Sequence, residues 1–400
     1  MILSLGLILI CGFLAGFLLN KIKIPGLVGM ICIGLLFGPF CLDIINSKIL
    51  NISSELRQIA LIIILTRSGL NLDFKSLKRI GRPAILMSFI PATFEIVGIT
   101  IASFFFLHLS IFEGMLLGSV IAAVSPAVVS PRMIKLIDEG YSDEPKLILA
   151  GSSVDDIYVI VLFYAFLGLV QNNTMDFLSI VLIPVSIILG ILLGLLCAVV
   201  VVILFKYTNF TKAINIIILL GISFLMVGLE NVLKPYVSIS SLLGIMVMAM
   251  VILFKNKDKA KELSDGYNNI WKVFEILLFV LVGASVDFSA LGSGTGWALL
   301  VLFIGLIFRS IGVFVSVSFT KFDFHEKLFI VMSYIPKATV QASIGGIALS
   351  MGLECGSIIL TVAVLAILIT APIGALLIDN FSKKLLKKEV PHNEVPKLLN

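Results

Sequence analysis

Residues 123–131 read Ala-Val-Ser-Pro-Ala-Val-Val-Ser-Pro and interrupt a predominantly apolar segment. A second apolar segment is interrupted at residues 334–339, which read Tyr-Ile-Pro-Lys-Ala-Thr, and again at Gly345-Gly346. Proline removes a backbone donor and disfavours helix in the residue before it. Non-helical backbone at membrane depth is tolerated where it lines a cavity. The two interruptions therefore predict a crossed pair of broken helices, and the alternative is a simple proline kink in each segment.

The composition places both segments in a membrane protein. Of the 400 residues, 59% are hydrophobic and only 13% are charged, and the mean hydropathy is +1.16. Soluble domains are about a quarter charged, so the figures exclude an ordinary soluble enzyme, a disordered chain and a nucleic-acid-binding domain. The sequence predicts an all-α polytopic fold with about 13 transmembrane helices. The predicted spans are 1–19, 25–40, 56–71, 83–107, 111–132, 146–170, 177–205, 213–233, 237–254, 270–288, 297–319, 326–351 and 356–379.

The basic residues predict the orientation of these spans. Of 29 Lys and Arg residues, 23 fall in alternate loops, beginning with Lys21 and Lys23. Because cytoplasmic loops collect Lys and Arg, the N-terminus is expected outside and the C-terminus in the cytoplasm. No basic segment precedes the first span, which favours an uncleaved helix over a signal peptide. We expect an integral protein of a bacterial-type inner membrane.

An internal repeat is visible when the sequence is shifted by 214 positions without gaps. Transporters often consist of two halves of inverted topology, and matching spans here lie seven apart, an odd number that reverses their direction. Spans one to six would pair with spans eight to thirteen, which leaves the seventh as a linker. The superposed residues are Asp73-Phe74 with Asp287-Phe288, and Phe94, Glu95 and Gly98 with Phe308, Arg309 and Gly312.

Two adjacent carboxylates, Asp155 and Asp156, lie inside the sixth predicted span. A charged side chain near the bilayer centre costs at least ~2.5 kcal/mol, and burial with mutual repulsion favours the protonated form. A dehydrated Na⁺ or Li⁺ needs several oxygen ligands. Asp156, Ser152 on the same helix face, and carbonyls freed near Val124 and Ser125 could supply them. One carboxylate that holds either a proton or a cation suits cation–proton exchange; the alternative is a pair at a solvated helix end.

Three further charges are predicted to be buried. Glu95 and Arg309 occupy equivalent positions of the two halves and have opposite signs, which favours a structural ion pair over a transport role. Lys337 lies at the break in the twelfth span. It would compensate the charge of the paired aspartates when no cation is bound, or neutralise helix dipole ends at the crossing.

Other ligand classes find little support in the sequence. The cysteines are scattered and the histidines lie far apart, so neither predicts a disulfide or metal framework. The glycine-rich run at 292–296 follows no strand, which favours a flexible connection over a nucleotide loop. The tail at 380–400 is short and basic, without room for a nucleotide-binding regulatory domain. We expect no cofactor beyond the transported ions and no nucleic-acid partner.

Together these motifs resemble a known family. The segment from Ile24-Pro25 to Gly38-Pro39, the aspartate pair and the two broken spans resemble the sodium/proton antiporters of the cation:proton antiporter-2 class. Residues 66–73 (Thr-Arg-Ser-Gly-Leu-Asn-Leu-Asp) and 336–345 (Pro-Lys-Ala-Thr-Val-Gln-Ala-Ser-Ile-Gly) are most similar to its NHA subgroup. The resemblance covers essentially the whole chain.

The resemblance implies a homodimer in membrane lipid and an elevator-like movement of one domain. A dimerisation scaffold would comprise 1–82 and 206–296, and a moving core 83–170 and 297–379, with 171–205 as a linker helix. It also implies that Asp156 is the main cation and proton ligand, with Asp155 as its partner. Many relatives with two aspartates carry lysine where Arg309 stands, which leaves electrogenic and electroneutral exchange both open.

The expected function is therefore exchange of Na⁺ or Li⁺ for H⁺ by alternating access, and not an enzymatic reaction. A K⁺/H⁺ exchanger and an organic-anion symporter on the same architecture are the alternatives within transport. An intramembrane aspartyl protease is a remote alternative, because its two aspartates come from different helices and one follows Gly-x-Gly, whereas Asp155 and Asp156 are adjacent.

Overall fold

The computed structural model describes residues 1–71, 81–141, 143–172, 177–208, 210–233, 237, 239–287 and 294–387. Across these ranges the regular structure is helical, which confirms the predicted all-α membrane fold. The helices are α1 (Ile2–Lys21), α2 (Gly26–Phe37), α3 (Ser47–Asn51), α4 (Ser53–Asn71), α5 (Arg82–Phe106), α6 (Ile111–Ile121), α7 (Pro126–Asp138), α8 (Asp143–Asn172), α9 (Phe177–Tyr207), α10 (Lys212–Leu233), α11 (Ser241–Lys255), α12 (Lys257–Ala284), α13 (Thr295–Val317), α14 (Phe324–Ser333), α15 (Thr339–Ile344), α16 (Ile347–Ser350) and α17 (Gly356–Leu385).

Most of these helices have the length of a membrane span. Within the described ranges, nine helical segments are long and apolar enough to cross a membrane, counting α6 and α7 as one, and α2 and α11 are shorter apolar helices. Each of the thirteen predicted spans coincides with one of the helices, except that the fifth coincides with two (α6 and α7) and the twelfth with three (α14 to α16). The number of crossings and the inverted repeat stay predictions, and Asp73, Phe74 and Phe288 lie outside the described residues.

Three helices extend beyond the predicted bounds, one of them being α7, which ends at Asp138 rather than near residue 132. Helix α12 begins at Lys257 rather than near residue 270, because its first turns are amphipathic and Leu263 and Tyr267 are buried there while lysines face outward. An amphipathic segment contains no continuous apolar run, so a search for such runs does not detect it. Helix α17 continues to Leu385, past the predicted end at 379, so that the first residues of the predicted tail are helical.

Glycines allow three helix pairs to approach at backbone distance. A Cβ at Gly34 of α2 would overlap the Val280 carbonyl oxygen of α12. On α5 and α13, Gly312 packs against the backbone of Pro91, and Gly98 packs against the side chain of Phe308. On α9 and α11, Gly194 and Gly244 meet directly. Small residues at such positions are what permits close packing of helices in membranes.

We expect Gly34→Ala to destabilise the protein by about 1–3 kcal/mol, because the added methyl group forces α2 and α12 apart. Thermal unfolding in detergent, followed by size-exclusion chromatography, measures the effect. Gly6→Ala in α1 is the matched control, since nothing lies within 4 Å of a Cβ there and alanine favours helix over glycine. Equal unfolding temperatures for the two variants would contradict the close contact.

The two predicted interruptions are both present and meet each other. Helix α6 ends at Ile121 and α7 begins at Pro126, while α14 ends at Ser333 and α15 begins at Thr339. The Ser125 backbone N–H donates to the Pro336 carbonyl oxygen at 2.8 Å. This hydrogen bond joins the two non-helical segments directly, so the crossing brings backbone groups from both broken spans to one place in the bundle.

The end of α17 is held beside the start of α14. Lys387 Nζ lies 2.5 Å from Asp323 Oδ2, and Asp323 caps α14 by accepting the Glu326 N–H. The hydrogen bond from Lys387, followed by that from the Glu326 backbone, lowers the pKa of Asp323 to about 2. Both charged groups are exposed, so we assign this contact a positional role only.

Candidate functional site

The aspartate pair lies at the helix crossing, on the middle of α8. Asp155 is fully buried and Asp156 is 9% exposed. One oxygen of Asp155, Oδ2, accepts the Val124 backbone N–H at 2.8 Å and an Arg309 Nη2 hydrogen at 3.0 Å. Its other oxygen is buried without a hydrogen-bond partner among the described residues. The break between α6 and α7 therefore supplies a donor to Asp155.

Glu95 and Arg309, placed opposite each other by the 214-residue shift, are in contact. Arg309 Nη1 lies 2.7 Å from Glu95 Oε2, and both side chains are buried. Arg309 also donates through Nε to the Tyr334 carbonyl oxygen at 2.8 Å and through Nη1 to the Ala122 carbonyl oxygen. One guanidinium thus binds groups from α5, α8 and both broken spans, consistent with the fixed fork of five donors that arginine offers.

Lys337 lies at the break, as expected, but its direct partner is Glu95 rather than the aspartate pair. Its Nζ lies 2.6 Å from Glu95 Oε2, the oxygen that Arg309 also contacts, and its backbone N–H donates to Thr370 Oγ1 at 2.9 Å. The direct partner of the aspartate pair is Arg309, at Asp155. The sequence expectation assigned Lys337 to that role because the lysine lies at the break, but the side chain turns towards α5.

Asp156 is the one acidic member of the cluster without an ion pair in the described ranges. Its Oδ1 is buried and lacks a hydrogen-bond partner there, as does the hydroxyl of Ser125. The hydroxyl of Ser152, predicted to join Asp156, donates instead to the Leu149 carbonyl oxygen at 3.2 Å. Asp156 faces a small recess that is also lined by Leu61 and Ser343.

The carbonyls before the break have partners that the sequence did not reveal. Gln341 Nε2 donates to the carbonyl oxygens of Ile121 at 3.0 Å and Ala123 at 2.8 Å. Sequence reasoning missed Gln341 as a functional residue, although a buried amide within an apolar broken span is itself an indication of a polar partner. At Val124 and Ser125, where the sequence predicted free carbonyls, the backbone N–H groups form the hydrogen bonds. The Val124 N–H donates to Asp155 and the Ser125 N–H donates to the Pro336 carbonyl.

A cavity of about 450 Å³ leads from one end of the bundle towards Asp156. It lies where α4 and α11 begin and where α8 and α10 end, and Arg57 and Glu230 contribute charged side chains to its lining. Leu61 and Ser343 line both this cavity and the recess beside Asp156. Asp156 is therefore close to a route from this end.

The charges of the cluster decide what it can bind. The carboxylates of Glu95 and Asp155 contact the cations Arg309 and Lys337, so two negative and two positive charges offset each other. Asp156 has no cationic partner among the described residues of the cluster, so its ionised form requires a positive charge from outside. A proton or a small monovalent cation would supply it.

Comparison with known proteins identifies the family of the chain. A family model described as "Sodium/hydrogen exchanger, transmembrane" matches residues 6–383. The chain is 33% identical over 411 residues to sodium/hydrogen exchanger 9B2 of Homo sapiens, covering 96% of this chain and 75% of that protein. It is 35% identical over 395 residues to sodium/hydrogen exchanger 9B1 of Mus musculus, covering 94% and 70%.

A solved structure shares the fold. The sodium proton antiporter MjNhaP1 from Methanocaldococcus jannaschii, at pH 8, superposes with a TM-score of 0.84 and 23% identity, covering 97% of this chain and 99% of that one. The family match extends over nearly the whole chain, including both broken spans and the buried charges. The chain therefore belongs to the transmembrane sodium/hydrogen exchanger family, and it is a sodium/proton antiporter rather than an enzyme.

Proposed function

We propose that the antiport takes place at Asp156, which binds either a proton or a sodium ion. The observation that carries this proposal is the buried Oδ1 of Asp156, which has no hydrogen-bond partner in the described ranges and lies beside a recess at the end of a cavity. The buried hydroxyl of Ser125 also lacks a partner there and is an oxygen ligand available to a cation. The hydrogen bonds from Val124 and Arg309 fix the carboxylate of Asp155 next to Asp156.

The roles of the remaining candidate residues follow from their contacts. Glu95 and Arg309 form a structural ion pair that holds α5 against α13. Lys337 contacts Glu95, which Arg309 also contacts, and so it balances the charge of the cluster as a whole rather than that of the aspartates directly. Ser152 reaches Asp156 only after its hydroxyl leaves the Leu149 carbonyl, so its role as a ligand depends on cation binding.

We propose Na⁺ or Li⁺ as the cation, because the recess beside Asp156 is small and its lining includes the hydroxyl-bearing residues Thr339 and Ser343. Small dehydrated cations bind oxygen ligands of this kind. Purified protein in liposomes, loaded with a pH-sensitive dye, tests this under sodium, lithium and potassium gradients. We expect proton flux with sodium and lithium and little with potassium. Flux with potassium alone would favour a K⁺/H⁺ exchanger instead.

The charge balance predicts exchange of one sodium ion for one proton. Because Arg309 and Lys337 already have carboxylate partners, only Asp156 changes its occupant during transport. The loaded site then has the same charge with either ion. We expect sodium-driven proton flux to be unaffected by a membrane voltage that is clamped with potassium and valinomycin. Flux that accelerates or reverses with voltage would show that a second group, such as Lys337, also titrates.

Alternating access would use two groups of helices. The close glycine contacts join α2 to α12 within one group and α5 to α13 within the other, and they fasten α9 to α11. They support the division into a scaffold (1–82 and 206–296) and a core (83–170 and 297–379), joined by residues 171–205. With the N-terminus outside, the cavity faces outward, so we propose that the structure is an outward-facing state of an elevator-like cycle.

We also propose a homodimer in a bacterial-type inner membrane, with the C-terminus in the cytoplasm. Large apolar side chains on α1, including Ile10, Phe13 and Phe17, are exposed, and such a surface is covered by lipid or by a second copy. Multi-angle light scattering of the detergent-solubilised protein gives the mass of the assembly. A protein mass of one chain would contradict the dimer.

A further inference from the structure

Gln341 links the two broken spans through three hydrogen bonds of one fully buried side chain. Its Oε1 accepts the Ala338 N–H at 2.8 Å, which closes the start of α15. Its Nε2 donates to the carbonyl oxygens of Ile121 at 3.0 Å and Ala123 at 2.8 Å, at the end of α6. Both hydrogens of the side-chain amide therefore form hydrogen bonds with the other broken span.

One of these bonds acts on the aspartate pair through a single peptide unit. The Ala123 carbonyl and the Val124 N–H belong to the same planar peptide group, so orienting one orients the other. Gln341 holds the carbonyl end of that plane, and the N–H end donates to Asp155 Oδ2 at 2.8 Å. A carbonyl that accepts a hydrogen bond also polarises its own N–H, which strengthens the second bond.

No other side-chain donor engages that carbonyl in the described ranges. Arg309 binds the preceding carbonyl, of Ala122, and therefore constrains the neighbouring peptide rather than this one. Without Gln341, rotation of the Ala123–Val124 peptide would move the N–H away from Asp155. The carboxylate of Asp155 would then keep Arg309 as its donor and could turn towards Asp156.

We propose that Gln341 is a positioning residue for cation binding, which fixes the Ala123–Val124 peptide and through it the carboxylate of Asp155 beside Asp156. This inference rests on the proposed site at the aspartate pair. A residue that only joined two helices would affect stability but not the apparent affinity for sodium, whereas a positioning residue affects the affinity.

The test compares Gln341→Met and Gln341→Glu with Ser333→Ala. Methionine keeps the approximate shape without the amide, and glutamate keeps an acceptor for Ala338 but can donate to at most one of the two carbonyls. Ser333 is an equally buried polar residue of the same broken span whose hydroxyl bonds within its own helix, to the Phe329 carbonyl at 2.9 Å. Sodium-dependent proton flux in liposomes gives KM and maximal rate, and thermal unfolding reports stability.

We expect either Gln341 variant to raise the KM for sodium about tenfold, a change of the size that a lost buried hydrogen bond produces, while Ser333→Ala leaves it unchanged. A folded Gln341 variant with the KM of Ser333→Ala overturns the proposal, as does failure of both variants to fold, which would make Gln341 a folding determinant. Asp156→Asn, measured alongside, separates the two ideas. If it retains exchange, the site itself is wrong, whereas its inactivity with an unchanged KM for Gln341 variants rejects only the positioning role.

Discussion

Asp156→Asn is expected to abolish sodium-driven proton flux in liposomes while the protein stays folded. Asparagine is isosteric with the protonated carboxyl group, so the buried position and the recess beside it are preserved. It cannot ionise, and therefore it can neither release a proton nor offer a charge to a dehydrated cation. The unfolding temperature should stay equal or rise, because a neutral amide costs less to bury than a carboxylate.

Asp258→Asn serves as the matched control, since Asp258 lies exposed in the first turn of α12. We expect its flux to equal that of the unmodified protein. Sodium-dependent flux that persists in Asp156→Asn vesicles would contradict the assignment of the site. Transport would then have to use Asp155, whose carboxylate is already bonded to Arg309 and Val124.

Arg309→Ala is expected to be the most destabilising single change, by about 3–5 kcal/mol, because it leaves buried carboxylates without their cation. Asp155 would lose the cation it contacts directly, and Glu95 would keep only Lys337. The Tyr334 carbonyl would also lose its donor. Thermal unfolding in detergent, in the presence and absence of sodium, measures the loss.

Arg132→Ala is the control for this experiment. Arg132 forms a bidentate pair with Asp379, but both side chains are partly exposed, at 21% and 35%. Exposed pairs contribute about 0–1 kcal/mol, so the unfolding temperature should change little. If Arg309→Ala altered the apparent sodium affinity more than the stability, the pair with Glu95 would belong to the transport site rather than to the structural framework.

The sequence predicted the membrane fold because helix length and apolar composition are local properties. The two breaks were also predictable, since proline and glycine act on their own backbone. The start of α12 was not, because Lys257 and its neighbours are polar and the buried positions of Leu263 and Tyr267 become evident only in the packed structure.

The partners within the charge cluster were harder to predict than its members. Glu95 and Arg309 could be matched through the repeat, because equivalent positions of two crossed halves come close together. Lys337 could not be placed, because a long side chain at a break can reach several carboxylates and the choice of Glu95 depends on the path of α5. The role of Gln341 depends on two carbonyls some 220 residues away in sequence, which no local pattern encodes.

The glycine contacts have a mechanical consequence. Where backbone interlocks with backbone, as at Gly34 with Val280 or Gly194 with Gly244, one helix cannot slide past the other without separating first. Across the cavity, where α4 and α11 face α8 and α16, the described glycines make no backbone contact of this kind. We therefore expect any movement of one helix group past the other to take place along that surface, which we call the slip plane. A disulfide engineered across the slip plane should arrest turnover, whereas one within an interlocked pair should leave the rate unchanged.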